Sequence, residues 1–309
     1  MSEKLPEFFW TIHNGLSRQG PGDNMSTGKA YKLLKDLPKN PRILDVGCGP
    51  GMQTVELAKL SDGQIVAFDF HKPFLEQLEE SIKKEGANHR IKIVNGDMRN
   101  LKFEDDSFDV IWSEGAIFII GFEKGLREWR RLLTPKGYVV VSELSWLKDG
   151  APQEAKDYMK QMYPVIKTIE GNIEIIQNSR YRLVDSFVLP SISWWGNYFT
   201  PIETKLPSLK TRFKDDQEAL KVIAYEETEI EMFRKYSDYY GYVFYIMQKN
   251  DINSFRHYVT SKILKYFELL FIISIIALAS RSPLSVTNPV IRFAGVISKP
   301  SFNSTFLPR

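Results

Sequence analysis

Between residues 42 and 142 the hydrophobic and polar positions change period in a regular way. Short apolar runs, typical of strands, are each followed by a longer stretch with helical spacing and then by Gly or Pro. The predicted strands are 42–46, 64–68, 91–94, 108–112 and 138–142, and the predicted helices are 52–60, 73–85 and 123–133. Alternation of strand and helix predicts a parallel sheet with helices on both faces.

The alternation ends after Leu147, and the pattern that follows differs. Residues 152–169 and 209–237 have helical spacing, whereas 181–189 and 242–248 are dense in β-branched and aromatic residues. We predict that the latter two segments pair as a late antiparallel hairpin. The predicted fold is therefore α/β, a Rossmann-like doubly wound sheet of seven strands, mostly parallel with a late antiparallel strand.

We predict one domain over residues 1–250. Its core is expected at about 41–147, 181–189 and 242–249, and a cap is expected from 1–40 and 190–237. In the N-terminal extension a polar, glycine-rich link precedes a helix that Ser26 or Thr27 would cap.

Residues 251–309 are predicted to form an apolar segment followed by a flexible C-terminal tail. The run from Leu269 to Ala279 is shorter than the roughly 20 apolar residues that span a bilayer. Three interpretations stay open: a packing or membrane-surface helix, a weak tail anchor, and an extension outside the evolved fold. The first two of these interpretations include membrane contact through 263–280.

Composition narrows the classes of partner. The chain has 309 residues, 43% of them hydrophobic, and a formal net charge of +3 without a dense Lys/Arg run, so we expect no nucleic-acid partner. Its single cysteine, Cys48, excludes an intramolecular disulfide and a cysteine-based zinc site, and we expect no metal. The N-terminal MSEKLPEFFW lacks the layout of a signal peptide. We expect a cytoplasmic protein, with peripheral membrane contact as the alternative.

A glycine-rich turn, D-V-G-C-G-P-G at 45–51, joins the first strand to the first helix of the core. Turns of this kind let a ligand approach the main chain and the free amides at the start of the helix. The dinucleotide fingerprint is G-x-G-x-x-G, but here Gly51 comes one position early and Met52 follows it. The spacing disfavours a pyrophosphate.

Polar residues follow every strand of the predicted parallel sheet. Because ligands bind outside the carboxyl ends of such strands, these residues predict one ligand crevice. The five strand ends are Asp45, Asp69, Asp97, Ser113 with Glu114, and Glu143, which the apolar Leu144 follows.

Taken together, these segments resemble the class I S-adenosylmethionine-dependent methyltransferases, of the small-molecule type with a UbiE-like core. The resemblance rests on the glycine turn, Asp69 after strand two, G-D-M after strand three, F-D-V-I-W-S-E-G-A at strand four, and L-L-T-P-K-G-Y-V-V-V-S-E at strand five. It implies S-adenosylmethionine as cofactor.

The resemblance also implies roles for individual residues. Asp69 would accept both ribose hydroxyls, Asp97 with the Met98 backbone would bind the adenine, and Phe70 or Met98 would flank its ring. The implied cofactor-binding residues are Arg18, Asp45, Gly47, Cys48, Gly49, Gly51, Asp69, Phe70, Asp97, Met98, Ser113 and Glu114.

Residues on the acceptor side come from the variable segments. The candidate catalytic residues are His13, Glu114 and Tyr198, and the candidate acceptor pocket is Trp194, Trp195 and Tyr198. His13 is either a general base or a packed histidine. The two tryptophans either line the acceptor or pack in the cap.

The expected function is methyl transfer from S-adenosylmethionine to a small-molecule acceptor by in-line displacement, releasing S-adenosylhomocysteine. No N/D-P-P-Y/F motif follows strand four, which departs from the families that methylate exocyclic amines of DNA bases. A non-catalytic cofactor-binding regulatory protein and a membrane-associated lipid or quinone methyltransferase are the alternatives. The acceptor atom and the oligomeric state are left open.

Overall fold

The protein is described by a computed structural model over residues 7–87 and 89–250. The predicted apolar segment and tail at 251–309, with the membrane contact at 263–280, lie outside the described residues. Within the described ranges no helix is both long and apolar enough to cross a membrane.

One mixed sheet forms the centre of the fold. Its strands follow the order β3-β2-β1-β4-β5-β8-β7, and a short strand β6 pairs with β5. Strands β1 to β5 are parallel, while β8 runs antiparallel to both β5 and β7. The strands are β1 Arg42–Val46, β2 Gln64–Asp69, β3 Ile91–Asn95, β4 Phe108–Glu114, β5 Leu133–Trp146, β6 Lys167–Thr168, β7 Tyr181–Val188 and β8 Tyr240–Lys249. The predicted fold class is confirmed.

Helices connect and cover these strands. They are α1 Glu7–His13, α2 Asn24–Tyr31, α3 Met52–Leu60, α4 Lys72–Lys84, α5 Phe122–Trp129, α6 Gln153–Met162, α7 Ile169–Asn178, α8 Ile192–Trp194, α9 Thr200–Arg212 and α10 Gln217–Tyr236. A π-helical segment, Trp195–Phe199, joins α8 to α9. The stretch predicted as one charged helix over 209–237 is instead the end of α9 and all of α10. Asp216 caps α10 by accepting hydrogen bonds from the amides of Glu218 and Ala219.

The core has two layers, one on each face of the sheet. Val110 and Trp112 of β4 belong to one buried cluster, whereas Ile111 between them belongs to the other. Successive side chains of a strand point to opposite faces, so a strand covered on both sides is apolar throughout. The N-terminal helix α1 and the helices between β7 and β8 contribute to the first cluster.

Strand β5 begins earlier than its predicted start at Tyr138. Leu133 pairs with Phe108, and regular pairing resumes at Tyr138 with Val110. The extra residues between these pairs bulge out, with Lys136 at a φ of 61°. The T-P-K-G motif therefore lies in a bulge within β5 and not in a turn before the strand.

Helix α2 begins one turn before the predicted cap residues. Asp23 is its N-cap, and the Asp23 carboxylate accepts a 2.7 Å hydrogen bond from the Ser26 amide. The prediction of Ser26 or Thr27 as the cap is wrong, because both lie inside the helix and are buried. The Ser26 hydroxyl donates back to Asp23 Oδ2 at 3.0 Å, whereas the Thr27 hydroxyl donates to Glu114 in the candidate site.

Candidate functional site

The glycine turn between β1 and α3 is the centre of the crevice at the carboxyl edge of the sheet. Gly47 has a φ of 75°, and a Cβ built there would lie 2.4 Å from Ala116 Cβ and 3.2 Å from Met98 Cε. A Cβ on Gly51, at a φ of 89°, would lie 2.1 Å from Leu78 Cδ1. Both positions require glycine for backbone conformation and for space.

The other residues of the turn face different surroundings. Cys48 is 1% exposed, and burial raises the pKa of its thiol well above the usual range. A Cβ on Gly49 would only touch Gln19, at 3.6 Å from its Cγ. Cys48 therefore packs within the turn, while Gly49 lies under the N-terminal segment.

Asp69, at the end of β2, binds the glycine turn directly. Its Oδ2 accepts the Gly49 amide at 2.9 Å, and its Oδ1 accepts the His71 amide at 2.9 Å. Burial raises the pKa of this carboxyl, and the two backbone hydrogen bonds oppose that shift. Each oxygen keeps a further lone pair, so the carboxylate can accept two more donors.

Asp45, at the end of β1, lies beneath the turn. The carboxyl is fully buried and accepts a 2.5 Å hydrogen bond from Thr54 Oγ1, while its Oδ1 has no hydrogen-bond partner. Burial raises the pKa of Asp45 to about 7. The Thr54 contact ties the turn to helix α3.

Glu114, at the end of β4, accepts hydrogen bonds from three side chains. Its Oε1 accepts Thr27 Oγ1 at 2.7 Å and Trp112 Nε1 at 2.8 Å, and its Oε2 pairs with Arg18. The side chains of Arg18 and Glu114 are 4% and 0% exposed. Arg18 keeps Nε and Nη1 without a partner. The neighbouring Ser113 donates its hydroxyl to the Val46 carbonyl at 2.8 Å, away from these groups.

The N-terminal segment covers this side of the crevice. Gln77 Nε2 donates to the Leu16 carbonyl at 3.0 Å, and Gln19 Nε2 donates to the His13 carbonyl at 3.2 Å. These bonds fix residues 13–19 over Gly49 and α4. The predicted cofactor residue Arg18 and the predicted catalytic residue His13 are thereby brought to the same segment.

The β3 end of the crevice is more open. Asp97 accepts hydrogen bonds from the Arg99 side chain, which together with the Arg99 amide lower the pKa of the carboxyl. Met98 is 8% exposed and touches the glycine turn, whereas Phe70 is 56% exposed. The Trp10 ring lies 6.2 Å from that of Phe70. Asp97 and Phe70 thus line an edge that solvent reaches, whereas Met98 is buried against the glycine turn.

His13 makes a contact that the sequence did not predict. Its Nε2 lies 3.2 Å from Glu226 Oε1, both side chains are fully buried, and Nδ1 of the ring has no partner. The ring of Tyr198 is 5.8 Å from that of His13. Burial raises the pKa of the Tyr198 hydroxyl well above its usual range. Two of the predicted catalytic residues are therefore neighbours in the cap.

The two tryptophans of the predicted acceptor pocket lie in different surroundings. Trp194 is 4% exposed and stacks on Phe233 at 4.0 Å and on Tyr242 at 5.2 Å between ring centroids. Trp195 packs beneath the guanidinium of Arg234, at 4.9 Å. Trp194 thus contributes to the buried cluster between the cap and β8.

Comparison with known proteins bears on this crevice. Residues 43–137, which hold the glycine turn, Asp69, Asp97 and Glu114, match a family model described as a methyltransferase domain. This part of the chain is similar to a methyltransferase domain. The predicted resemblance to class I methyltransferases is confirmed over this part of the core.

Two curated relatives match the same region. The sterol 24-C-methyltransferase of Aspergillus fumigatus is 32% identical over 111 residues, which are 36% of this chain and 29% of the relative. The demethylmenaquinone methyltransferase of Staphylococcus aureus is 34% identical over 137 residues, 43% of this chain and 53% of the relative. The chain thus spans about half or less of the length of these relatives.

A solved structure extends the likeness beyond the methyltransferase domain. The S-adenosylmethionine-dependent methyltransferase of Thiobacillus denitrificans, in complex with S-adenosylhomocysteine, has a TM-score of 0.68 at 18% identity. The alignment covers 80% of this chain and 100% of that one. At this identity the likeness is one of fold.

Among the described residues, several buried polar atoms around the glycine turn have no hydrogen-bond partner. They are Arg18 Nε and Nη1, Gln19 Oε1 and Asp45 Oδ1. Nearly all buried polar groups in proteins are hydrogen-bonded, so a cluster of exceptions at one crevice fits a ligand with its own donors and acceptors. The free lone pairs of Asp69 suit neutral hydroxyls, and the free donors of Arg18 suit a carboxylate.

Sequence reasoning missed several residues of the site. Gln19, Thr27, Thr54 and Glu226 all contact predicted residues, but they come from segments without a motif. Glu143 stood among the strand ends and was not selected. Its position after an apolar strand was the available signal.

Proposed function

We propose that this protein transfers a methyl group from S-adenosylmethionine to a small-molecule acceptor. The observation that carries the proposal is the hydrogen bond from the Gly49 amide to Asp69, which joins the two motifs of the matched methyltransferase domain at a crevice lined by unpartnered polar atoms. The names of both curated relatives and of the Thiobacillus structure, which holds S-adenosylhomocysteine, support the same donor and reaction.

In this proposal the carboxyl edge of the sheet holds the cofactor. Asp69 accepts the ribose hydroxyls with its free lone pairs, and Asp97 and Met98 bind the adenine. The glycine turn accommodates the methionine portion, because no side chain projects from Gly47 or Gly49. Arg18 donates hydrogen bonds from its two unpartnered nitrogens, Nε and Nη1, to the carboxylate of that portion.

The protein has little bond-making to do in such a reaction. S-adenosylmethionine, when bound, supplies a methyl group on a sulfonium that is already a good leaving group. The chain aligns the acceptor, excludes water and receives a proton where the nucleophile carries one. Among the three candidate catalytic residues, His13 keeps a free ring nitrogen, Tyr198 lies beside it, and Glu114 orients Arg18.

The proposed acceptor is a small molecule bound between the sheet edge and the cap that holds Trp194, Trp195 and Tyr198. The named relatives act on a sterol and on demethylmenaquinone, which are small and largely apolar. A lipid or quinone acceptor presented at a membrane surface is the narrower form of this proposal.

Two measurements on the full chain test the proposal. Isothermal titration with S-adenosylmethionine should give saturable binding, and incubation with a panel of amines, thiols, phenols and quinols should release S-adenosylhomocysteine. Quinols presented in vesicles test the membrane-surface form. Binding without product across the panel would favour a non-catalytic regulatory protein, and absence of binding would refute the proposed cofactor.

A further inference from the structure

Glu143 is a buried acid on β5 that the proposed reaction has not used. The residue is 2% exposed and lies one position beyond Ser142, which pairs in register with Glu114 at the end of β4. Its Oε1 accepts a hydrogen bond from the hydroxyl of Tyr163, in the segment after α6. Its Oε2 is buried and has no hydrogen-bond partner.

Within residues 7–87 and 89–250, no salt bridge offsets the charge of this acid, and the Glu143 carboxyl accepts its hydrogen bond from the neutral hydroxyl of Tyr163. A buried carboxylate with one neutral donor and one orphaned oxygen costs stability, and a fold keeps such a group where it has a further use. The orphaned oxygen is therefore the feature to explain.

Tyr242 of β8 interacts both with Glu143 and with the predicted acceptor pocket: its ring stacks on Trp194 at 5.2 Å between centroids, and burial together with the charge of Glu143 raises the pKa of its hydroxyl. The Gly115 amide donates to Ser142 Oγ at 2.8 Å, and a Cβ on Gly115 would lie 3.7 Å from the Tyr242 hydroxyl. Residue 116, next along the chain, is the alanine that closes the space at Gly47 of the glycine turn. These contacts link Ser142, the residue before Glu143, to the glycine turn.

An apolar rim adjoins this acid. Phe118 and Ile119, in the turn after β4, are 42% and 48% exposed, and the ring of Phe118 lies 6.1 Å from that of Tyr163. Exposed large apolar side chains beside a buried acid suit a mainly apolar molecule that brings one polar, proton-bearing group to the carboxylate.

We propose that Glu143 is a catalytic residue that accepts the proton of the methyl acceptor, and that the acceptor is a mainly apolar molecule whose nucleophilic oxygen or nitrogen arrives protonated. Phenols or quinols and ammonium compounds share this chemistry. The inference rests on the proposed methyl transfer, and it names the acceptor class and a proton-accepting residue for that reaction.

The proposed step balances without a further reactant. The nucleophile forms a bond to the methyl carbon with its electron pair, and the carbon–sulfur bond breaks with its pair to sulfur, leaving neutral S-adenosylhomocysteine. The proton of the nucleophile passes to Glu143 Oε2, before the attack for an ammonium group, whose electron pair is held in the N–H bond, and during it for a phenol or quinol. Solvent removes the proton after product release. Tyr163 holds the other oxygen, so that Oε2 stays directed to the acceptor.

The environment of Glu143 determines the pH at which it can act. Burial raises the pKa of Glu143 to about 8, and the hydrogen bond from Tyr163 opposes the shift. The other titratable groups facing it, Tyr242 and Tyr245 of β8, are neutral tyrosines whose own pKa values burial raises. A base must be ionised, so activity should rise with pH through about 8, where half of Glu143 is ionised, and level above it.

The test is the pH profile of S-adenosylhomocysteine formation by the full chain, with phenol, quinol and amine acceptors as separate arms. Glu143→Gln keeps an acceptor for Tyr163 but takes no proton, so we expect kcat to fall about 100-fold or more, with KM nearly unchanged and the rise towards pH 8 lost. Tyr163→Phe removes the hydrogen bond that lowers the pKa of Glu143. The activity of this variant should therefore rise at a higher pH than that of the wild type.

The chain offers a matched control in a second, exposed Tyr–Glu pair. Tyr236 donates to Glu154, and Tyr236→Phe and Glu154→Gln should leave rate and profile unchanged. Glu143→Gln with wild-type rate and profile would overturn the inference while leaving methyl transfer intact. If that variant does not fold, an unshifted profile in Tyr163→Phe overturns it. A wild type that binds S-adenosylmethionine but methylates nothing refutes both proposals.

Discussion

At the scale of single residues, Asp69 illustrates how one carboxylate serves both structure and binding. Its oxygens each accept a backbone amide, from Gly49 and from His71, and both amides belong to turns that follow buried strands. An acid after a strand is visible in the sequence. That it holds the glycine turn in place became visible only when β1 and β2 were seen side by side.

Replacing Asp69 by alanine should weaken S-adenosylmethionine binding by about 1.5–3 kcal/mol, the usual contribution of hydrogen bonds to a charged group. The ribose hydroxyls lose their acceptor, and the Gly49 amide loses its partner. Isothermal titration measures the change. Asp62→Ala, at an exposed position after α3, is the control and should bind as the wild type does. Equal affinities for the two variants would remove Asp69 from the cofactor site.

At the scale of elements, the N-terminal segment is attached to the sheet by buried polar contacts. Arg18 and Thr27 both donate to Glu114 of β4, 96 and 87 positions away along the chain. The sequence predicted the strand and a helix near Thr27, because periodicity is local. The sequence could not predict the contact between Thr27 and Glu114, because that contact depends on how the N-terminal segment crosses the sheet edge.

Glu114→Gln should lower the free energy of unfolding by about 3 kcal/mol, because it leaves the buried Arg18 guanidinium without its counter-charge. Urea denaturation followed by circular dichroism measures the loss. Glu128→Gln removes an exposed pair with Lys124 and should cost less than about 1 kcal/mol. Equal losses in the two variants would mean that the buried pair contributes no more to stability than the exposed pair does.

At the scale of the whole molecule, the buried acids should make stability depend on pH. The pKa of Asp45 is raised from 3.8 to about 7, and that of Glu143 from 4.5 to about 8, in each case chiefly by burial. The native state therefore keeps protons that the unfolded chain has released. Stability from these groups is full below the unfolded pKa and is lost as pH rises through the folded one.

Asp45→Asn should make the unfolding free energy less dependent on pH between about 4 and 7, because the group that titrates in that interval is gone. Urea denaturation at several pH values gives the slope for each variant. Asp215→Asn, at an exposed position between α9 and α10, should retain the wild-type slope. An unchanged slope in Asp45→Asn would mean that Asp45 is ionised throughout this interval.

The sequence by itself determined the positions of β1 to β5 along the chain, the glycine turn and the acids at the strand ends. These features depend on the period of apolar positions and on the conformations open to glycine, which are local properties. Local signals also misplaced the cap of α2 and the start of β5, because a capping serine and a turn motif look the same wherever the chain uses them.

Tertiary structure alone decided which buried polar groups meet. His13 reaches Glu226 across 213 positions, Arg18 reaches Glu114 across 96, and Tyr163 reaches Glu143 from the segment after α6. Each contact joins segments whose sequence patterns are independent, so no period or spacing encodes it. What brings them together is the burial of apolar surface on both faces of the sheet, which fixes where every strand end and every covering helix must lie.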